Sequence, residues 1–396
     1  MKHIAHVLSA VALAAAATTS ARADAVTDWS VKSAEVITEA KIATPPAVRV
    51  MALVQTAAYD AVVASQQRQA SADAALAAAH RVTLAKLLPA QQALIDTAYQ
   101  AALATIADGA AKSSGIGAGE AAANAVLAAR ADDGAATPEA YRPHTTAGAY
   151  VPTVMPAVPQ WPQRKPWLMT SASQFRPGPP PALTSAQWAR DFEEVKSLGG
   201  KASAKRSAEQ TEAARFWEYS LPAVYHGVLR SVALQPGRDL LRNARLFAVA
   251  AQVMDDGLIA VFDAKYHYNF WRPVTAIRNG DIDGNDATQP DAAWSPLIDT
   301  PMHPEYPSAH STLAVSMAVV LDAERAGAAL PVLSTSSPTA KGAVRRWTRL
   351  DEFTREVADA RVHAGIHFRS ATDAGDALGK RIGELAVARL LRPAAP

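Results

Sequence analysis

Residues 243–273 read NARLFAVAAQVMDDGLIAVFDAKYHYNFWRP, and the character of the chain changes part-way along. From Asn243 to Ala264 apolar residues recur at helical spacing, which predicts a largely buried α-helix. From Lys265 to Pro273 the sequence turns aromatic, with Tyr266, Tyr268, Phe270 and Trp271 between Lys265 and Arg272. Such neighbours argue for burial, and a buried cation needs a partner. Lys265 and Arg272 stand seven residues apart, so two helical turns would set them on one face about 10 Å apart. Pro273 biases Arg272 away from helix, and a turn there would bring the cations closer. In either geometry their long side chains can converge on one anion.

Working outward, the chain divides by composition into four parts. Residues 1–23 start with Met1-Lys2-His3, continue through a small apolar run from Val7 to Ala17, and end at two small-x-small patterns, Ala21-Arg22-Ala23 and Ala23-Asp24-Ala25. That order predicts a secretory signal peptide, hence a periplasmic or secreted protein. Residues 24–141 are rich in Ala, Leu and Gln with helical periodicity, as in Val48–Val54 and Ala90–Ile95. Residues 142–185 carry ten prolines, from Pro143 to Pro181, which deny the backbone a regular helix. Trp161, Trp167, Leu168 and Phe175 within that stretch predict an extended segment wrapped on the helical body, since a floppy linker would use Gly and Ser. From residue 186 to 396 helical patterns return, notably at Asn243–Ala264, Ser308–Ala326 and Asp376–Leu391. No stretch after the leader approaches the roughly 20 uninterrupted apolar residues of a spanning helix, so no transmembrane segment is expected in the mature chain.

Composition removes several chemistries. The 396 residues are 49% hydrophobic, enough for a full core, and 39 basic residues are scattered among 37 acidic ones for a net charge of +2. No global field attracts nucleic acid, so an anion site has to be local. The chain has no cysteine, which excludes disulfides, thiolate metal sites and a cysteine nucleophile.

Two further pieces offer a local anion site. Pro307-Ser308-Ala309-His310 opens an apolar run, and Pro307 fits the first helical position. The N–H groups of Ser308, Ala309 and His310 would then be free at a helix start carrying partial positive charge. A plain capped helix start fits the same tetrapeptide. In Arg361-Val362-His363-Ala364-Gly365-Ile366-His367, the histidines four apart suggest a two-histidine metal site, but no third ligand stands nearby and Gly365 weakens a helix. Arg361 with His367 is the more telling pair, a planar fork for an oxoanion beside a titratable imidazole.

Taken in order, the pieces resemble the signature of the vanadium-dependent haloperoxidase and type-2 phosphatidic-acid-phosphatase superfamily, K-x6-R-P, P-S-G-H and S-R-x3-G-x-H. Lys265 to Pro273 matches the first part fully; Pro307, Ser308 and His310 match the second with Ala309 in place of Gly; Arg361, Gly365 and His367 match the third with Ala360 in place of Ser. The likeness to the bacterial exported haloperoxidase-like branch runs from about Phe216 onward, and includes His303-Pro304-Glu305-Tyr306-Pro307-Ser308.

The resemblance implies an all-α helical bundle with the Pro-rich segment in its middle. It implies vanadate as cofactor, with His367 as its covalent ligand or, in a phosphatase, as the phosphoryl-accepting nucleophile. His310 is then the general acid–base, Lys265, Arg272 and Arg361 neutralise equatorial oxygens, Ser308 donates its hydroxyl and Ala309 its backbone N–H. His303 stands where family bromoperoxidases carry His and chloroperoxidases an aromatic, and Phe262 is a candidate for the entrance, with core packing as its alternative. Many relatives carry Asp four residues after the His ligand; here Ala371 stands there, leaving Asp373, Asp376 or backbone to orient His367. Hydrogen peroxide and halide are the expected substrates, or a phosphomonoester in the phosphatase reading, and non-catalytic oxoanion binding is a third reading.

Overall fold

The computed structural model describes residues 24–391, so the expected signal peptide lies outside the described residues. Among the described residues, thirteen α-helices and one two-stranded antiparallel hairpin make up most of the regular structure, with short 3-10 turns and a π-helical turn at Val387–Leu391. The first five helices are α1 (Ala25–Glu39), α2 (Thr44–Gln67), α3 (Ala72–Leu87), α4 (Gln92–Ala104) and α5 (Ala110–Ala129). After the proline-rich stretch come α6 (Ala186–Leu198), α7 (Ala208–Phe216), α8 (Pro222–Ala233), α9 (Leu240–Tyr268) and α10 (Pro273–Arg278). Then follow α11 (Ala309–Arg325), strands β1 (Leu333–Ser336) and β2 (Val344–Trp347), α12 (Leu350–His363) and α13 (Arg369–Ala386).

Local chemistry sets many of the helix starts. Asp24, Ser71, Ser185, Ser207, Asp239 and Ser308 each accept an N–H of the first turn, and Pro opens α2, α8 and α10, where its missing donor costs nothing. The 29-residue α9 is the axis of the molecule and packs against α2, α11 and α13. One buried cluster joins Val26, Val48 and Leu76 to Phe247, Phe262, Met317 and Ile382. Helix α2 is long and apolar enough to cross a membrane, which inspection of uninterrupted runs missed, but 72% of that window is buried inside the protein.

Residues 142–185 contain no α-helix, only a 3-10 turn at Trp161–Gln163, and they are pinned to α9 by buried polar contacts. Arg164 forks onto Asp255 (2.6 and 2.9 Å) and reaches Asp133 (2.9 Å), while Trp167 Nε1 donates to Asp255 at 2.8 Å. Asp256 accepts the backbone N–H groups of Trp167, Leu168 and Met169. Removing one partner from such a buried pair costs about 3–5 kcal/mol, because the other charge is stranded. Farther along, Tyr150 N donates to Asn269 O, Trp271 N to Gly148 O, and Tyr268 Oη to Pro177 O. The segment therefore clamps the aromatic stretch at the end of α9.

The helix at Asn243 runs four residues past its expected end near Ala264, to Tyr268, and stops where Asn269 adopts a left-handed conformation (φ 48°). A turn, and not two continuous helical turns, separates Lys265 from Arg272. Helices α11 and α13 approach closely because Gly375 and Gly379 face α11; a Cβ on them would stand 2.5 Å from Ser308 O and 2.4 Å from Thr312 O. Gly365 joins α12 to α13 at φ +79°, and a Cβ there would stand 2.4 Å from Gly199 O. Both the dihedral and the clash oppose any other residue. Gly365→Ala should cost at least about 2 kcal/mol and lower Tm by several degrees. Gly117→Ala, on the exposed face of α5 with nothing within 4 Å of the new methyl, should be neutral or stabilise by up to about 1 kcal/mol. Thermal melts of the two variants check the contrast; equal melting points would contradict it.

Candidate oxoanion site

Five helix ends meet at one place. Lys265 lies in the last turn of α9, Arg272 caps the start of α10, Ser308 caps α11, Arg361 lies in the last turn of α12, and His367 precedes Phe368, the cap of α13. Lys265, Arg272 and Arg361 are 0%, 1% and 2% exposed.

Their protein partners are mostly neutral. Lys265 Nζ donates to the carbonyls of Pro304 (3.0 Å) and Glu305 (2.8 Å), which leaves its third N–H without a protein acceptor. Arg272 donates from Nε to His303 O (2.9 Å), from Nη1 to Ile366 O (2.8 Å) and from Nη2 to His303 Nδ1 (2.9 Å). Arg361 Nη1 donates to Trp217 O, while its Nε is buried with no partner. Among the described residues the pocket's one carboxylate is Glu305, which burial pushes up to about 7 against the pull of Arg272 and Lys265. Burial, with repulsion from Arg272 and Arg361, drives Lys265 well below its ordinary value. Burial brings Arg272 and Arg361 down to about 10. A site holding three cations and one carboxylate is short of negative charge.

His367 is oriented by that carboxylate. Glu305 Oε1 sits 2.7 Å from His367 Nδ1 and accepts Phe368 N–H at 2.9 Å. An acceptor on Nδ1 places the ring proton there, so Nε2, 3.4 Å from Arg272 Nη1, keeps its lone pair. Burial and the surrounding cations hold His367 and His310 well below the ordinary imidazole range, so both are neutral near pH 7. His310 is half-buried, with Nε2 unpartnered. The hydroxyl of Ser308 accepts Ser311 N–H at 3.4 Å, which leaves its own hydrogen to donate.

A family profile described as the VCPO second helical-bundle domain matches residues 245–395. Vanadium chloroperoxidase of Curvularia inaequalis is 26% identical over 176 residues, which is 36% of this chain and 28% of that protein's length. A bacterial vanadium-dependent iodoperoxidase structure superposes with a TM-score of 0.79 at 23% identity, covering 92% of this chain and 96% of that one. The chain has the vanadium haloperoxidase fold. A holo bacterial vanadium-dependent chloroperoxidase shares it with a TM-score of 0.68 at 20% identity, covering 88% of this chain and 93% of that one.

Within this haloperoxidase fold the structure brings Lys265, Arg272, Ser308, Ala309, His310, Arg361 and His367 to one pocket and amends four expectations. Helix α11 begins at Ala309, so Pro307 precedes the cap and does not occupy the first helical position. Ser308 N–H is not free, since it donates to Ala371 O at 2.9 Å; only the N–H groups of Ala309 and His310 lack a protein acceptor. Phe262 does not line an entrance: it is 1% exposed and packs edge-on against His303 with ring centroids 5.1 Å apart. His303 itself is half-buried, with Nδ1 turned to Arg272.

The group orienting His367 is Glu305, not Asp373, Asp376 or backbone. Glu305 stands in a stretch singled out for its family likeness, and the signal that would have found it is a carboxylate three residues before a buried helix cap that faces three cations. His363 contacts Gln210 at 3.3 Å, and no group of three His, Cys, Asp or Glu suited to a metal ion occurs among the described residues.

Because an anion would raise the depressed pKa of Lys265, anion binding takes up a proton wherever the empty pocket has already lost it. Affinity is then complete below the empty-pocket pKa and falls as pH rises through it; His310, also depressed, acts in the same direction. Sulfate, whose own charge does not change near neutrality, should bind more weakly as pH is raised, with proton uptake visible by calorimetry in two buffers of different ionisation enthalpy. An affinity that is flat or grows with pH would contradict this.

Proposed function

We propose that this chain is an exported vanadate-dependent haloperoxidase that oxidises halide, bromide ahead of chloride, with hydrogen peroxide. The observation carrying this reading is His367, an imidazole whose Nδ1–H is held by Glu305 and whose Nε2, 3.4 Å from Arg272 Nη1, lies among three buried cations. A vanadate ion fits those residues: it is a tetrahedral anion needing a neutral nitrogen ligand, cationic neighbours and hydrogen-bond donors, and Arg361 Nε and His310 Nε2 are buried without partners. When bound, vanadate supplies a Lewis-acid centre that activates peroxide without changing oxidation state.

The protein's own groups supply the rest. Glu305 fixes the tautomer and the direction of His367. Lys265, Arg272 and Arg361 hold the anion and stabilise charge on its oxygens, in surroundings where each contact is stronger than in water. Ser308 donates its hydroxyl and Ala309 its backbone N–H. His310, neutral and half-buried, is placed to take a proton from an incoming hydrogen-bond donor. His303, whose Nδ1 lies 2.9 Å from Arg272 Nη2 and 3.2 Å from Pro304 O, is the reason for ranking bromide first, because it stands where family bromoperoxidases carry His. Export rests on the order of charge, apolar run and cleavage pattern in residues 1–23.

A second reading rests on the same three cations, which also match the three equatorial oxygens of a transferring phosphoryl group. His367 Nε2 would then attack a phosphomonoester, and His310 would protonate the leaving oxygen. Assays with orthovanadate, peroxide and bromide or chloride, beside p-nitrophenyl phosphate without vanadate, separate the two. Halogenation is the expected result; phosphatase turnover without halogenation would overturn the preference. His367→Ala should abolish activity, and Glu305→Ala should weaken vanadate binding by about 10- to 100-fold. Arg278→Ala should be mild, because Arg278 is exposed and donates to Trp294 O. Equal losses from His367→Ala and Arg278→Ala would refute the site.

A further inference from the structure

Away from this pocket, two arginines among the described residues, Arg206 and Arg230, are half-buried without a carboxylate, and Arg206 spends its donors on Thr211 and the carbonyls of Leu198, Gly200 and His363. Arg230 on α8 makes a single side-chain contact, from Nη1 to Ser30 Oγ at 3.4 Å, and desolvation holds it below the ordinary arginine value. Other shielded arginines fare differently: Arg164, Arg238, Arg345 and Arg369 each meet Asp or Glu within 3.1 Å. Behind Arg230, Ser30 Oγ lies 3.3 Å from His226 Nδ1, and both His226 Nε2 and Ser33 Oγ are buried without partners.

Arg230 lines an open cleft of about 650 Å³ between α1, α4, α8 and β1. The walls are Val31 and Ala34 of α1, Leu94 of α4 and Ala223 of α8, with Pro338 beyond β1. Val31 and Leu94 are among the few large apolar side chains left exposed, at 37% and 38%. The polar groups divide by end. Ser30 ties Arg230 to the Val31 end of α1, and β1 packs on α8 there, with Ser231 Oγ donating to Ser334 O at 3.2 Å and the Thr335 hydroxyl facing α8 at Gly227, one turn before Arg230. Thr38, whose hydroxyl lies 3.2 Å from Tyr219 Oη, and Glu39 mark the other end, about 10 Å along α1. Glu35, between the ends, is engaged by Lys32 at 2.9 Å.

We propose that this cleft is a second ligand site, for an organic monocarboxylate with an apolar body. The carboxylate pairs with Arg230, and the apolar body lies between Val31, Ala34, Leu94 and Ala223. A guanidinium fork suits a carboxylate in two-point contact, and the apolar walls reward a hydrocarbon tail. Glu39 at the far end selects against a second negative charge. The site is independent of the haloperoxidase reading, since it shares no residue with the oxoanion pocket.

Titration calorimetry of the whole protein with hexanoate, hexanol and adipate tests it. Hexanoate should bind with one-to-one stoichiometry, and hexanol and adipate at least about tenfold more weakly. Arg230→Met should lose about tenfold or more in hexanoate affinity, and Arg230→Lys should keep part of it. Ala223→Phe, which fills the cleft without changing charge, should abolish binding. Both Arg230→Met and Ala223→Phe should keep wild-type sulfate affinity at the oxoanion pocket, which reports that they are folded. Equal affinity for hexanol and hexanoate, unchanged hexanoate binding in Arg230→Met or Ala223→Phe, or no hexanoate binding to the wild-type protein would each overturn the proposal.

Discussion

Burying Lys265, Arg272 and Arg361 around a single carboxylate is the constraint on which the rest of this protein depends. Removing an ion from water costs several kcal/mol even after the surroundings relax, and here the three cations repel one another as well. Backbone carbonyls of Trp217, His303, Pro304, Glu305 and Ile366 offset part of that cost. In the proposed reading the remainder is expressed as affinity for an anion. A fold tuned for stability alone would place carboxylates there, as this chain does around Arg164 and Arg345.

Holding the pocket in that condition requires rigid walls, and the walls trace back to small residues and buried acids. Gly375 and Gly379 let α13 lie against α11, which sets the start of one helix beside the start of the other. Gly365 turns the chain between Arg361 and His367 where no side chain fits. Asp255 and Asp256 gather the proline-rich segment onto α9, and that segment in turn clamps the stretch from Asn269 to Trp271. Glu305 links the two halves of the site, since its carbonyl accepts from Lys265 and its carboxylate holds His367.

Much of this was legible in the sequence. The apolar periodicity of α9, the prolines of residues 142–185 and the aromatic stretch after Ala264 led to an all-α body with a packed extended segment. Lys265 and Arg272 stood out because charged residues among aromatics are unusual, whereas His310 and His367 took their roles only from the family resemblance. What periodicity could not supply was pairing across long separations. Glu305 meets His367 sixty-two positions later, and Asp255 meets Arg164 ninety-one positions earlier. Asp255 has no local pattern to mark it, and Glu305 has only its place three residues before the cap of α11. Taking Pro307 as the first helical position starts α11 two residues early; the Ser308 side-chain cap and the tertiary bond from Ser308 N–H to Ala371 O set the observed boundary. Of the two readings of Phe262, entrance or core packing, its burial against His303 supports the second.

The central claim is that the excess of buried positive charge and the held imidazole form one oxoanion pocket. A crystal structure after soaking with orthovanadate tests it most directly. The account predicts vanadate against His367 Nε2, within hydrogen-bonding distance of Lys265, Arg272 and Arg361, with Glu305 still on Nδ1. Vanadate bound elsewhere, or a His367 ring released from Glu305 and turned away from the cations, would contradict it.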